Sequence, residues 1–323
     1  MVVASSSVSV VVPTYNEGPR LLDALRSILR QTAPPGEVLV ADDGSADDVD
    51  GMVATAAAEH PGVPVRLVHG PGNTGSGAAR ARGIAAATGE WIAVCDADDV
   101  WLPTKLERQL SFLDAWEGRR RLAALGTWGR NVNDRLEPVS DAPMGPASED
   151  ESDAIVARGG LHFALHSSML FRRADHDAVG GYLDEYLGSE DLFLWARLAR
   201  LGPIVCVPEP LVLYRKRPGS VQVSIFRTQQ EQLERLALNE RRAGVGEPPL
   251  DAAAFARHLA AQPLPARVRR RLRWAGTHAY RVGAMEAVNG HRLRGGARLA
   301  GAMLLDPGRV WAGVEAAWHS RRR

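Results

Sequence analysis

Trp91-Ile92-Ala93-Val94-Cys95-Asp96-Ala97-Asp98-Asp99 reads as a short apolar strand that runs into a cluster of carboxylates. A strand buried on both faces is a continuous apolar run, and ligands of open α/β sheets collect at the carboxyl ends of such strands. Three aspartates at one edge repel one another unless a positive charge sits among them. Hard carboxylate oxygens suit Mg2+ or Mn2+. Such an ion takes one or two protein carboxylates and fills its remaining positions with substrate phosphate and water.

The flanking sequence repeats the same unit. Val8 to Pro13 is a β-branched run that ends in the turn-rich Pro13-Thr14-Tyr15-Asn16-Glu17-Gly18. Leu21, Leu22, Leu25, Ile28 and Leu29 follow at helical spacing. Val38 to Ala41 is a second strand, which runs into Asp42-Asp43-Gly44-Ser45, and Val63 to Val68 is a third. Gly70 to Gly77 is a glycine-rich loop, and Ala78 to Thr88 is helical. Strands alternating with helices predict parallel βαβ units in a Rossmann-like, mostly parallel sheet. After Pro103 the alternation weakens. Leu122 to Val132 and Ser167 to Phe171 read as strands, as do Ile204 to Val207 and Leu211 to Tyr214. Pro138 to Asp153 is acidic and proline-bearing, and reads as a mobile loop. Ser189 stands as the cap of a helix carrying Leu192, Trp195 and Leu198, with Glu190 and Asp191 in its first turn. From about Ser224 the pattern is helical: Phe226 to Arg242, Ala252 to Ala261, Pro265 to Val288 and His291 to Leu305. The expected domains are 1–223, with a first half to about 103 and a second from 104, and a helical appendage over 224–323.

Composition bounds the rest. The 323 residues are 45% hydrophobic and 24% charged, ordinary for a globular protein. Cys95 and Cys206 each sit in an apolar run, which predicts buried free thiols. No apolar run is long enough to span a bilayer, and the first residues lack the pattern of a signal peptide, so a cytoplasmic protein is expected. The net charge is +1, but residues 267–323 hold 13 Arg against 3 acidic residues, which leaves about −9 for the first 266. Two readings fit this basic end: solvated Arg-rich helix faces, or attraction to an anionic membrane surface, where Trp274, Trp311 and Trp318 would suit the interface. No nucleic-acid recognition motif accompanies the charge, and no nucleic-acid partner is expected.

Each polar motif has a plain alternative. Gly70-Pro71-Gly72-Asn73-Thr74-Gly75 matches G-x-G-x-x-G, with Asp96 roughly where a ribose-binding acid would stand, and so admits an NAD-dependent oxidoreductase. Yet that fingerprint belongs after the first strand, and this one follows the third. A tight turn that admits Arg80 is the simpler reading. Asp42-Asp43-Gly44-Ser45 is either a capping turn or a carboxylate edge for a base or ribose. Glu190 and Asp191 taken alone only complement the helix dipole. His162 and His166 read as structural.

Together these segments resemble the family 2 glycosyltransferases, which have the GT-A fold. The resemblance rests on Pro13-Thr14-Tyr15-Asn16-Glu17, Asp42-Asp43-Gly44-Ser45, Asn73 through Gly83, Gly89-Glu90-Trp91, Asp96-Ala97-Asp98-Asp99, Gly180-Gly181-Tyr182 and Glu190-Asp191, across most of Val8 to Ser220. It is their order and spacing that are specific.

The resemblance implies a non-processive, inverting enzyme that transfers one sugar from a nucleoside-diphosphate donor, a UDP-sugar being expected, to a glycan or lipid-linked acceptor. Pro13, Tyr15, Glu17 and Asp43 would line the nucleoside, and Arg80 would face the nucleotide. Asp96, Ala97 and Asp98 form the D-x-D motif. Asp98 is the first candidate ligand for Mn2+ or Mg2+, joined by Asp96 and Asp99. Asp191 would be the base, with Glu190 on the acceptor side. Arg215 and Arg217 would neutralise the diphosphate. Two positions depart from the family pattern. Arg217 stands where many relatives carry His, and guanidinium cannot ligate a metal. Ala81 stands where Asn often follows the arginine. The same fold also serves as a non-catalytic nucleotide-sugar-binding module, a reading that the intact D-x-D and Asp191 oppose.

Overall fold

The runs at Val8, Val38 and Trp91 become strands buried along their whole length: β1 (Val8–Thr14), β2 (Glu37–Asp42) and β4 (Trp91–Val94). The computed structural model describes residues 3–183, 186, 188–217 and 225–306. In it, β3 (Val65–His69), β2, β1 and β4 lie side by side in that order, all parallel. The crossovers are α1 (Pro19–Leu29), α2 (Val49–Glu59) and α3 (Ser76–Ala86); α4 (Lys105–Asp114) and α6 (Arg173–Ala178) follow later in the chain. In α1, Leu21, Ala24, Leu25, Ile28 and Leu29 are buried, the i, i+3, i+4, i+7, i+8 stripe of a core-facing helix. Pro19 opens that helix, where its missing N–H costs nothing.

This order positions the site. The chain moves outward from β1 to β2 and β3, then returns to β4 on the other flank of β1. The carboxyl ends of β1 and β4 therefore border the crevice where the strand order reverses. The Gly70–Gly75 loop follows β3, at the edge of the parallel set, two strands away from that crevice.

Beyond β4 the sheet turns antiparallel. β8 (Leu170–Arg172) pairs with β4, and β6 (Ala124–Val132) with β8. β9 (Ile204–Arg215) and β5 (Val100–Trp101) complete the order, and β7 (Pro138–Ala142) pairs with β6 off the main path. Two expectations change here. The loop expected over 138–153 contains β7 and the start of α5 (Glu149–Ala157). Ser148 caps α5 by accepting from the Glu151 N–H at 3.2 Å, and the three acidic residues of its first turn suit the helix dipole. The two strands expected over 204–214 are one, with Pro208 and Pro210 in a stretch where burial relaxes. Cys95 and Cys206 are buried and free, as expected.

Glu37 ties the parallel strands together. Its carboxylate accepts from Ser9 Oγ at 2.7 Å, the Thr88 N–H at 2.7 Å, Thr88 Oγ1 at 2.8 Å and Arg66 Nη2 at 2.6 Å. Burial pushes this carboxyl up, but the donors outweigh it and hold it at about 2 against an ordinary 4.5. The unfolded chain binds more protons in that window, so stability falls as pH drops from about 4.5 towards 2. Glu37→Gln is expected to cost about 2 kcal/mol at pH 7 and to lose that acid-range slope, checked by urea unfolding across the pH series.

The chain divides into two compact units, Met1–Arg130 with Ala142–Tyr214, and Asn131–Asp141 with Arg215–Arg323. The second holds α8 (Phe226–Gly244), α9 (Ala252–Ala260), α10 (Leu264–Val288) and α11 (Arg292–Leu305). The last two touch backbone to backbone: a Cβ on Gly295 would lie 2.6 Å from the Gly283 carbonyl oxygen. Trp274 donates to Glu234 at 3.0 Å, while Trp311 and Trp318 lie outside the described residues. Among the described residues no helix is long and apolar enough to cross a membrane.

Candidate active site

Three loop tips meet at the carboxyl ends of the parallel strands. The Asn16 N–H donates to Ser45 Oγ at 3.0 Å, and the Ala46 N–H to Asn16 Oδ1 at 2.7 Å. The Gly18 N–H reaches Asp47 at 2.7 Å. These bonds lock the loop after β1 to the loop after β2. Asn16 adopts φ 56°, a left-handed conformation that Asn tolerates better than most side chains. Pro13 is buried in β1, Tyr15 is exposed, and Glu17 lies 3.7 Å from Arg20.

Asp43 is turned into the glycine-rich loop. Oδ2 accepts from the N–H groups of Thr74 and Gly75 at 2.8 and 2.7 Å. Oδ1 accepts from Thr74 Oγ1 and Arg82 Nη2, both at 2.6 Å. These four bonds use all the lone-pair positions of a carboxylate. Gly44 must be glycine, because at φ 82° a Cβ would fall 2.9 Å from Gly72 Cα. Thr74 and Arg82 lie within the Asn73–Gly83 stretch, but the stretch gave no role to either; their part depends on a carboxylate more than thirty residues away.

The centre of the site is a buried chain of charges. Arg80, on α3, donates through Nη1 to Glu190 at 2.9 Å and through Nη2 to Asp96 at 2.6 Å. The guanidinium is 7% exposed, and two carboxylates hold it charged against the cost of burial. Ser76, one turn earlier, donates to the same Glu190 oxygen; the second oxygen of Glu190 is buried with no hydrogen-bond partner. Burial pushes the Asp96 carboxyl up, but Arg80 outweighs it and holds the group below its usual range.

The tip after β4 has its own brace. Ser167 Oγ accepts from the Asp96 N–H at 2.9 Å and donates to the Asp99 carboxylate, while its carbonyl accepts from Trp101 Nε1 at 2.7 Å. Asp99 is fully buried by this arrangement, and Ala97 is buried beside it. Asp98 is half-buried. Among the described residues no group of three His, Cys, Asp or Glu side chains is arranged to hold a metal ion. Asp99, expected as a third candidate ligand, is buried and turned to Ser167, so the candidate donors at the tip are Asp98 and the second oxygen of Asp96, two hard carboxylates. That number suits a cation that draws its other ligands from phosphate and water. Ser167 was read from sequence only as the start of a strand; its bracing role follows from partners 66 to 71 residues away.

Asp191 opens α7 (Glu190–Leu198) beside Glu190. Ser189 occupies the cap position, but its hydroxyl makes no bond to the helix backbone. Burial, and then the Glu190 charge, push the Asp191 carboxyl up to about 7; the Leu192 N–H at 2.8 Å and Arg80 pull the other way. A carboxylate poised near neutrality is suited to take a proton. His166 and Tyr182 share a 2.7 Å hydrogen bond beneath Arg80, and burial drops His166 to about 3, so it stays neutral. His162 is likewise structural, 2.9 Å from Ser152 Oγ.

Tyr15, Glu17, Asp43, Arg80, Asp96, Asp98, Glu190 and Asp191 thus all belong to the first compact unit, and the Arg80 ion pairs join the D-x-D to the start of α7. Arg215 and Arg217 belong to the second. Arg215 is buried and donates to the Asp134 carbonyl, and Arg217 is half-buried.

Comparison with known proteins fits this geometry. A family model described as Glycosyl transferase family 2 matches residues 9–180. The amylovoran biosynthesis glycosyltransferase AmsB of Erwinia amylovora is 28% identical over 229 residues, 68% of this chain and 76% of that protein. The succinoglycan biosynthesis protein ExoO of Rhizobium meliloti is 42% identical over 223 residues, 66% of this chain and 62% of that protein, so the match spans under two thirds of ExoO. Among solved structures, the mannosyltransferase PcManGT of Pyrobaculum calidifontis, in complex with GDP-Man and Mn2+, shares the fold. Its TM-score is 0.57 at 23% identity, over 97% of this chain and 85% of that one. S. aureus TarS 1-349 in complex with UDP-GlcNAc shares it at TM-score 0.56 and 18% identity, over 94% and 92%. The family match covers more than half of the 323 residues, and the chain belongs to the family 2 glycosyltransferases.

Proposed function

We propose that this glycosyltransferase moves one sugar from a nucleoside-diphosphate donor, a UDP-sugar being expected, to a hydroxyl of a glycan or lipid-linked saccharide, with inversion at the anomeric carbon. Its setting would be polysaccharide assembly, as the names of AmsB and ExoO state for those proteins. The observation that carries the reading is the Asp96–Arg80–Glu190 chain of ion pairs, which joins the acidic tip after β4 to the helix start bearing Asp191. Asp98, with Asp96, would hold Mn2+ or Mg2+, an ion that offsets the charge growing on the departing diphosphate. Arg80 fixes the carboxylate of Asp96 so that the tip needs no rearrangement as that charge builds. Asp191 takes the proton of the acceptor hydroxyl on the opposite face of the sugar, and direct displacement inverts the carbon. No protein nucleophile enters. Tyr15, exposed on the loop after β1, would lie beside the nucleobase, and Pro13 and Glu17 would line the nucleoside with it. A base N–H that reaches Asp43 takes the place of one of its present donors.

The test needs no knowledge of the acceptor. A panel of nucleotide sugars is incubated with the protein and Mn2+, and release of nucleoside diphosphate by slow donor hydrolysis is measured. One or a few donors are expected to turn over. EDTA is expected to stop the release and added Mn2+ to restore it. Asp98→Asn is expected to lower the rate by about 10²-fold or more. Turnover untouched by EDTA would remove the metal from the account, and no turnover with any donor would oppose the transferase reading.

A further inference from the structure

The first half of α10 presents an apolar stripe to water. Leu264, Val268 and Leu272 stand at i, i+4 and i+8, and are 68%, 44% and 46% exposed. At helical spacing Arg267 and Arg271 fall on one side of the stripe, and Arg269 and Arg273 on the other. Residues 264–273 contain five arginines and no acid. Two of the five have partners within the unit: Arg273 pairs with Glu234 at 2.9 Å, and Arg270 lies over the Trp274 ring and donates to Gln262. Arg269 and Arg271 are exposed. α11 adds Leu293, 91% exposed between Arg292 and Arg294.

Three large aliphatic side chains left in water on one helix face cost free energy unless something covers them. The border of guanidinium groups selects what that is. An anionic bilayer takes aliphatic side chains into its acyl boundary and meets arginines with headgroup phosphates on either side. A nucleic acid would leave the leucines wet against its backbone, and the stripe offers no exposed aromatic ring on which a base could stack. A second copy of the same face would set arginine against arginine. We infer that residues 264–273 form a peripheral contact helix that lies flat on an anionic lipid surface. The contact is read without turnover, so it stands apart from the donor chemistry proposed above.

The full chain is sedimented with phosphatidylcholine vesicles, with and without phosphatidylglycerol. Binding is expected only with the anionic lipid, and it weakens as salt is added. Val268→Asp with Leu272→Asp is expected to weaken it at least about tenfold. Arg269→Gln with Arg271→Gln is expected to cost about fivefold per charge. Arg269 and Arg271 are exposed, so the melting temperature of the glutamine pair should not move. As a check that needs no variant, amide exchange over 264–273 in the wild-type chain should slow when anionic vesicles are added. The inference is overturned by any of three results: no binding at low salt, binding unchanged by the aspartate pair, or variants that abolish self-association or DNA binding in a chain that ignores vesicles.

Discussion

Asp191→Asn is expected to lower kcat by about 10²–10⁴-fold while the nucleotide still binds. The amide keeps the shape of the carboxylate and its hydrogen bond from Leu192, but it cannot take a proton. The pH profile is the stricter check. The Asp191 carboxyl stands at about 7 rather than 3.8, raised first by burial and then by the Glu190 charge. Below about 7 the group is protonated and unable to act as base, so log kcat/KM is expected to rise with unit slope up to that pH and then level off. The same shift sets a sign for stability. The folded chain binds more protons between 3.8 and about 7, so the ionised carboxylate costs stability as pH rises through that window. The Asn variant should therefore be at least as stable as wild type at pH 8 while losing turnover. A residue that only supported the fold would lose both.

The second large effect lies at Arg80. Arg80→Ala leaves Glu190, and to a lesser degree Asp96, as carboxylates without their counter-charge in a buried setting. Removing one partner of such an arrangement costs about 3–5 kcal/mol, because the remaining charge is left uncompensated. Arg80→Lys is expected to recover little. The two carboxylates are reached by two different nitrogens of one planar fork, and an ammonium on a flexible stem cannot span both. Urea unfolding checks the size. An Arg80→Ala chain as stable as wild type at pH 7 would mean that the buried ion pairs do not hold the site together.

What the sequence disclosed follows the reach of each interaction. β1, β2 and β4 were legible because strands buried on both faces are written as unbroken apolar runs. The antiparallel part was harder. β5 and β8 are two and three residues long, too short for a period, and exist through pairing with distant strands. The segment 138–153 looked like a loop because its acidic residues find their partners, Arg119 and Arg120, about thirty residues away. The site divides in the same way. Asp96, Asp98, Arg80 and Asp191 carry motif spacing and were named from it. Ser76, inside the Asn73–Gly83 stretch, and Ser167, outside any motif, were assigned no role: one donates to a residue 114 positions on, and the other braces a tip 71 positions back. Asp43 was legible as a carboxylate at a strand end. That its lone pairs close on Thr74, Gly75 and Arg82 was not, since this depends on how the loop after β3 folds back.

The central claim is that the acidic tip after β4 grips a nucleoside diphosphate through a divalent cation. Calorimetric titration of UDP and GDP, each with Mn2+, tests it most directly, with Asp98→Asn as the comparison and NAD titrated in parallel. The account predicts saturable binding of one of the two nucleotides, weakened at least about tenfold by EDTA or by Asp98→Asn, and no binding of NAD. Equal nucleotide binding with and without the cation, or binding of NAD where neither diphosphate binds, would contradict it.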